Sequence, residues 1–265
     1  MDSQPPPTEA TLADALRRVN GNTQAPDTFR DTTPLAPWWH TVLLVVFVLV
    51  TSWYTAHSLQ SGKALQGSKA ARYISTMVME WLMVAYVWFG LRLKRRSFRD
   101  VIGRTWNSIE DALLDLAIAA VYWIVAVSVL AAMRYAMHML DTSKVNQQLK
   151  DLAFITPQNG RELALFLGVA LTAGLCEEII FRGYLQGQFI RWTRNAAAGI
   201  ILSGLCFGLA HAYQGKTMIV LGVYGAMFGA LAYFKRSVIP GIIAHTWQDS
   251  ISGVLLMLAK HLPIK

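Results

Sequence analysis

The feature that most constrains the fold is a series of apolar blocks, each near 20 residues long. A block of this length crosses a hydrocarbon core of about 30 Å as an α-helix. The chain is also only 15% charged, whereas soluble domains carry about 25% charged residues. We therefore predict an all-α, polytopic transmembrane bundle with spans at 38–59, 72–93, 112–137, 162–186, 196–213, 217–234 and 238–260. A membrane element within 138–161 would raise the number of spans from seven to eight.

The amino-terminal region has a different composition from the rest of the chain. Residues 1–36 are predicted to form a mobile polar tail, and residues 37–265 the transmembrane helical domain. The start, MDSQPPPTEA, has no basic segment that leads into an apolar one. It is therefore not predicted to be a cleaved signal peptide.

The basic residues indicate membrane topology rather than nucleic-acid binding. The net charge is +8, but Lys and Arg lie in short connections between apolar blocks, with the densest run, RLKRRSFR, at 92–99. Cytoplasmic loops of membrane proteins carry such an excess of positive charge. We expect a multi-pass protein of a bacterial cytoplasmic membrane, with a cytoplasmic amino terminus. The bilayer is an expected partner, and nucleic acid is not.

The fourth block ends in CEEIIFRGYLQ, which places Glu177, Glu178 and Arg182 in an otherwise apolar segment. In an α-helix, Glu178 and Arg182 are four residues apart and share a face. Glu177 lies about 100° away around the same helix. An unpaired charge near the centre of a membrane helix costs about 2.5–3.5 kcal/mol, so such residues usually have a function. The alternative interpretation is a structural salt bridge at a helix end.

Two later blocks also contain acid or imidazole groups. His211 ends the fifth block four residues after Phe207, and His245 and Asp249 lie four apart in the seventh. One intramembrane site that draws on three helices explains all of these groups together. The second block contains a further acid, Glu80, to which we assign no role. The remaining histidines lie near block ends and are interpreted as interfacial: His40, His57, His138 and His261.

In this order and spacing, the motifs Glu-Glu-x-x-x-Arg, Phe-x-x-x-His and His-x-x-x-Asp resemble those of a known family. This is the CPBP family of CAAX proteases and bacteriocin-processing enzymes, also called the ABI family, which includes the type II CAAX prenyl endopeptidases. The resemblance covers about residues 160–255. It implies an all-α fold with an intramembrane cavity that opens to the cytoplasmic side.

The resemblance also implies a role for each site residue. Glu177 and His211 would activate a water molecule for attack on a peptide carbonyl. His245 and residue 249 would form the side that stabilises the oxyanion, and Glu178 with Arg182 would hold the geometry. The expected substrate is a membrane-associated or hydrophobic peptide or protein, of the CAAX, bacteriocin or pheromone type.

A metal is left open at this stage, because family accounts differ over it. A divalent ion such as zinc is an option that is not obligatory; its candidate ligands are His211, His245, Glu177 and Asp249. The type II enzymes typically have Asn where this chain has Asp249. An ionised Asp cannot donate a hydrogen bond to an oxyanion. Asp249 is therefore protonated, orients His245, or is a metal ligand.

Two other functions compete with that of an intramembrane endopeptidase. One is a catalytically inactive scaffold or bacteriocin-immunity-type protein of the same family. It would have no need for the buried charges of Glu177, Glu178 and Arg182. The other is a proton-coupled transporter, for which we would expect internal repeats or paired broken helices. The sequence shows neither, so the peptidase is the preferred interpretation.

Overall fold

The computed structural model describes residues 32–62, 67–138, 141 and 152–259. Over these residues the protein is an all-α helical bundle, as predicted. The predicted tail lies almost entirely outside the described residues, as does His261. The helices are α1 Trp38–Gln60, α2 Lys69–Leu93, α3 Arg99–Ile102, α4 Ile109–Ala136, α5 Gly160–Thr193, α6 Ala196–Ala210, α7 Thr217–Lys235 and α8 Ile239–Ala259.

Every predicted span corresponds to a helix in the structure. Within the described ranges, five helices are long and apolar enough to cross a membrane, namely α1, α2, α4, α5 and α7. Helix α6 is shorter, and the middle of α8 contains the polar run HTWQDS. The boundaries agree with prediction to within three residues, except that α5 continues past residue 186 to Thr193.

The starts of α5 and α6 carry capping side chains, which give partners to first-turn backbone N–H groups that lack them within the helix. The Asn159 side chain accepts from the backbone N–H of Glu162 at 3.0 Å, at the start of α5. The Asn195 side chain does the same for Ala198 at the start of α6. These caps fix the starts of α5 and α6, the two helices that correspond to the fourth and fifth apolar blocks.

Helices α6 and α7 pack closely because small residues line their contact. A Cβ atom on Gly204 would lie 2.8 Å from the Gly222 carbonyl oxygen, and one on Gly208 would lie 2.6 Å from that of Met218. Small residues permit such close approach of membrane helices. The packing brings Phe207 of α6 beside α7, where a Cβ atom added to Gly225 would lie 3.0 Å from the Cβ of Phe207.

Helix α5 changes its winding in the motif region. The segment Gly160–Glu177 is α-helical, Glu178–Leu185 is a π-helix, and Gln186–Thr193 is α-helical again. The Ser203 hydroxyl of α6 donates to the Phe181 carbonyl, inside the π-helical segment, at 2.7 Å. The sequence prediction assumed a regular α-helix here. Short π-helical insertions are frequent at functional sites.

The interpretation of His40 as interfacial is wrong, because its side chain is completely buried. The ring stacks on Tyr86 with centroids 4.0 Å apart. Its Nε2–H donates to the Tyr86 carbonyl at 2.9 Å, so Nδ1 accepts from the Tyr184 hydroxyl at 2.7 Å. The Thr41 hydroxyl completes the chain by donating to Tyr184 at 2.9 Å. We call these four residues, from α1, α2 and α5, the His40 cluster.

His57 and His138 are exposed, as an interfacial position requires. His57 stacks on the exposed Trp53, with ring centroids 5.7 Å apart. The three described histidines of this group, His40, His57 and His138, therefore fall into different environments. Only packing against distant helices distinguishes His40 from the others.

Candidate active site

The centre of the site is Glu178, a fully buried carboxylate on the π-helical segment of α5. Its Oε1 lies 3.0 Å from Nη1 of Arg182, so the predicted pairing of these residues is present. The same oxygen accepts the Nδ1–H of His245, from α8, at 2.9 Å. Glu178 thus joins two motifs that are 67 residues apart in the chain. Because the carboxylate accepts from Nδ1–H, it also sets the orientation of the His245 ring.

Arg182 is held by charge and aromatic contacts rather than by hydrogen bonds. Its Cζ lies 4.1 Å from the centroid of the Phe207 ring and 5.6 Å from that of Phe228. A guanidinium over an aromatic face is attracted by the ring quadrupole. None of its three side-chain nitrogens has a hydrogen-bond partner among the described residues, and the same is true of Glu178 Oε2. Such unsatisfied buried groups are rare in proteins and call for an explanation.

His245 lies between further carboxylates and a set of aromatic rings. Its Nε2 is 3.8 Å from Oε2 of Glu177 and 3.6 Å from Oδ2 of Asp249. Three aromatic rings surround it, with centroids 6.0 to 6.1 Å from that of the imidazole; they belong to Phe207, Tyr224 and Phe228. We call Glu177, Glu178, Arg182, His245 and Asp249 the Glu178 cluster.

His211 lies just after the end of α6, at the edge of the site. Its Nδ1–H donates to the Phe207 carbonyl at 2.9 Å, which leaves Nε2 directed away from α6. The ring is close to that of Phe207, with centroids 4.8 Å apart, as the spacing of the motif predicts. His211 also interacts electrostatically with Asp249. Neither a hydrogen bond nor an ion pair joins the described side chains of His211 and Glu177.

The accessible members of the Glu178 cluster face one end of the bundle. The Glu177 side chain is 17% exposed and that of Asp249 37%, whereas Glu178 and Arg182 are fully buried. Along α5 and α8, both accessible acids lie nearer than Glu178 and His245 to the end where α6 stops before His211. The site therefore opens towards the 211–216 connection.

This opening is at the opposite end of the bundle from the start of α1. The backbone N–H of Leu35 and the carbonyl of Ala36 bond the side chain of Gln188, both at 2.8 Å, near the carboxyl end of α5. At the other end, Ser52 of α1 contacts the backbone on either side of His211. A cytoplasmic start of α1 and a site open to the cytoplasm are therefore incompatible. One of these two expectations is wrong.

Two residues close to the site were not given roles by the sequence. Glu80 of α2 is 5% exposed, its Oε2 has no hydrogen-bond partner in the described part of the chain, and it interacts electrostatically with Glu177 and Asp249. Tyr224 of α7 is 2% exposed, and its hydroxyl is likewise without a partner there. Glu80 was noticeable as an acid in an apolar block, but a tyrosine in such a block gives no comparable signal.

Tyr213 lies beside the opening, on a 3₁₀ turn at Ala212–Gln214. Its ring centroid is 5.9 Å from that of His211, and its hydroxyl accepts from the Gln214 amide at 3.4 Å. Burial, followed by the nearby negative charges of Glu177 and Asp249, raises the pKa of Tyr213 to about 12. The phenol therefore stays protonated at neutral pH.

The donor set was tested for its fit to a metal ion. Over the described residues, no three His, Cys, Asp or Glu side chains come together in a group that could hold one ion. His245 donates through Nδ1 to Glu178 and His211 through Nδ1 to a backbone carbonyl, so only the Nε2 atom of each ring is open to a ligand, an arrangement that metal-binding histidines also have. The residues as placed do not fit a shared zinc site. No mechanistic step is therefore derived through a metal.

The family comparison agrees with the motifs. Residues 159–251 match the family described as type II CAAX prenyl endopeptidase Rce1-like. No curated protein and no solved structure matches the chain. The matched region runs from the amino-terminal cap of α5 into α8 and contains all members of the Glu178 cluster and His211.

The fold and the matched region define an all-α membrane protein with a CAAX-protease-type domain. The match supports a CPBP-type domain over residues 159–251 of the chain.

Proposed function

We propose that the protein is an intramembrane endopeptidase in which Glu177 is the general base. The observation that supports this proposal is that two adjacent carboxylates differ in burial and in their partners. Glu178 is buried and engaged by Arg182 and His245, whereas Glu177 is partly exposed and has no hydrogen bond within the described residues. A carboxylate that is accessible and makes no hydrogen bond is available to take a proton from water.

The proposed reaction is hydrolysis of a peptide bond. Glu177, assisted by His211, takes a proton from water as the water oxygen attacks the carbonyl carbon. The electron pair of the C=O bond moves to oxygen and gives a tetrahedral oxyanion. When the C–N bond breaks, the proton passes from Glu177 to the leaving nitrogen. His245, held by Glu178 through Nδ1, presents Nε2 towards the reacting centre on the oxyanion side.

The substrate proposed is a membrane-associated or hydrophobic peptide, such as a prenylated CAAX protein or a bacteriocin- or pheromone-like precursor. Two observations support it. The proposed base Glu177 lies on α5, one of the helices long and apolar enough to span a bilayer, and the accessible acids face a short connection at one end of the bundle. A segment held at the membrane would reach such a site by lateral approach. A bacterial cytoplasmic membrane remains the proposed location.

The test uses purified protein in liposomes and two internally quenched peptides of one sequence, one with a farnesylated CAAX cysteine and one without. We expect the wild type to cleave at least the farnesylated peptide. Glu177→Ala and His211→Ala should abolish cleavage while still inserting and purifying as the wild type does. His57→Ala, at an exposed position on α1, is the matched control and should keep full activity.

Full activity in Glu177→Ala would contradict the assignment of the base. Failure of the wild type to cleave either peptide would contradict the proposed function and favour the inactive scaffold or immunity-type alternative. The metal question has its own measurement, since dialysis against a chelator followed by addition of zinc reports whether activity follows the ion.

A further inference from the structure

The starting point is a missing hydrogen-bond donor on the oxyanion side of the proposed site. Peptide hydrolysis places negative charge on the carbonyl oxygen, and enzymes stabilise it with donors fixed in advance. Asp249 cannot supply such a donor when ionised, because a carboxylate only accepts hydrogen bonds. The Asp249 Oδ2 lies 3.6 Å from Nε2 of His245, so the carboxylate is ion-paired with that imidazole instead. Within the motif residues, this leaves His245 as the donor.

Tyr224 of α7 lies against the same histidine. Its ring is nearly perpendicular to that of His245, at 80° with centroids 6.1 Å apart, and it packs on Phe228 at 4.4 Å. It interacts electrostatically with Asp249 and Glu178. The Tyr224 ring is therefore held on α7, against His245, by aromatic contacts that do not use its hydroxyl.

The Tyr224 hydroxyl is buried without a partner. It is inaccessible to solvent and has no hydrogen-bond partner among the residues that the structure describes. A buried hydroxyl in this state costs free energy, so phenylalanine would be the more stable choice if packing alone mattered. A phenol is a neutral donor near pH 7 and needs no change of protonation to act. The unpaired hydroxyl is explained if its acceptor forms during the reaction.

We propose that the Tyr224 hydroxyl donates a hydrogen bond to the oxyanion formed during peptide hydrolysis, in the place that an ionised Asp249 cannot fill. The proposal rests on the proposed function. The water oxygen bonds to the carbonyl carbon, its proton goes to Glu177, and the carbonyl electron pair moves to oxygen. That oxygen then accepts from Tyr224 and His245. Tyr224 keeps its proton throughout, and the donation ends when the C=O bond is restored and the C–N bond breaks.

The test is Tyr224→Phe, measured with the farnesylated quenched peptide in liposomes. Removing one oxyanion donor lowers kcat by about 10²–10³-fold in known enzymes. We expect a fall in kcat of this size with little change in KM, because the oxyanion does not exist in the ground state. The Tm should stay the same or rise, since the variant removes an unsatisfied buried hydroxyl.

Two further tyrosines make the result specific. Tyr54→Phe, at an exposed position on α1, should keep the wild-type kcat and Tm. Tyr213→Phe removes the other hydroxyl near the acids, one that already accepts from Gln214. A large loss of kcat in Tyr213→Phe, with wild-type kcat in Tyr224→Phe, would assign the donor to Tyr213 and overturn the proposal.

The remaining outcomes are also decisive. A wild-type kcat in Tyr224→Phe, when Glu177→Ala is inactive, overturns the role of Tyr224 and leaves the proposed function intact. A lower kcat that comes with a lower Tm identifies a structural hydroxyl and also overturns it. No cleavage by the wild type, or full activity in Glu177→Ala, rejects the proposed function itself, and the role of Tyr224 falls with it.

Discussion

Two buried polar clusters attached to α5 differ in how completely their hydrogen bonds are satisfied. In the His40 cluster, both ring nitrogens of His40 and the hydroxyls of Thr41 and Tyr184 have partners at 2.7 to 2.9 Å. In the Glu178 cluster, Oε2 of Glu178 and Nε and Nη2 of Arg182 have no hydrogen-bond partner among the described residues, whereas Nη1 of Arg182 is ion-paired with Glu178. Histidine and burial are common to both clusters, so neither feature separates them.

The difference separates a structural cluster from a functional one. An unsatisfied buried polar group costs about 1–3 kcal/mol, so a cluster that serves stability alone is expected to be fully paired. Groups that remain unpaired next to accessible acids fit a site whose partners arrive with the substrate. On this view the His40 cluster holds α1 and α2 against α5, and the Glu178 cluster contains residues of the active site.

The largest effect is expected for Glu177→Gln, which keeps the size of the side chain and removes the base. Loss of general-base catalysis lowers rates by about 10²–10⁴-fold. The Tm should not fall, because Glu177 makes no hydrogen bond within the described residues and lies near three other acids: Glu80, Glu178 and Asp249. Peptide cleavage and thermal unfolding of the same preparation give both quantities. A clear drop in Tm would place Glu177 among the structural groups.

The next effect is expected for Arg182→Met, which leaves Glu178 buried without its cation. Breaking a buried ion pair by removing one partner costs about 3–5 kcal/mol. The packing of Arg182 against Phe207 is lost in addition. Arg194→Met, at an exposed position, is the matched control and should unfold as the wild type does. Wild-type stability in Arg182→Met would show that Arg182 serves catalysis alone.

The helices and the Glu178–Arg182 pair could be predicted because both depend on local spacing. Apolar blocks of membrane length define helices, and an acid four residues before an arginine places the two side chains on one face. The structure has both. The matched family region also agrees with the three motifs. The roles of the individual site residues stay predictions.

The π-helical winding, the burial of His40 and the position of Tyr224 could not be predicted in the same way. His40 follows Trp38 and Trp39, a pattern typical of an interface, but its partner Tyr184 lies 144 residues further along. Tyr224 is one aromatic residue among many in an apolar block, and only the rotation of α7 against α8 directs it to His245. Such contacts depend on how helices pack, which helix periodicity alone does not determine.

A smaller effect is expected for His40→Ala, which removes the centre of the His40 cluster. Two hydrogen bonds and the stacking on Tyr86 are lost and a cavity is left, at a cost of about 2–4 kcal/mol. Activity per folded molecule should be unchanged, because neither a hydrogen bond nor an ion pair joins the described side chains of this cluster to those of the Glu178 cluster. His57→Ala is the exposed control. A loss of kcat without loss of stability in His40→Ala would reverse the assignment of the two clusters.

The smallest effect is expected for Tyr184→Phe, which keeps the ring and removes one hydroxyl. That hydroxyl donates to His40 Nδ1 and accepts from Thr41, so the variant leaves two polar groups without a partner. The cost should be about 1–3 kcal/mol, seen as a lower Tm at unchanged kcat. Tyr224→Phe is the opposite case within the same bundle, with a lower kcat and no loss of Tm. If both substitutions lowered Tm alike, pairing of buried hydroxyls would not distinguish structure from function in this protein.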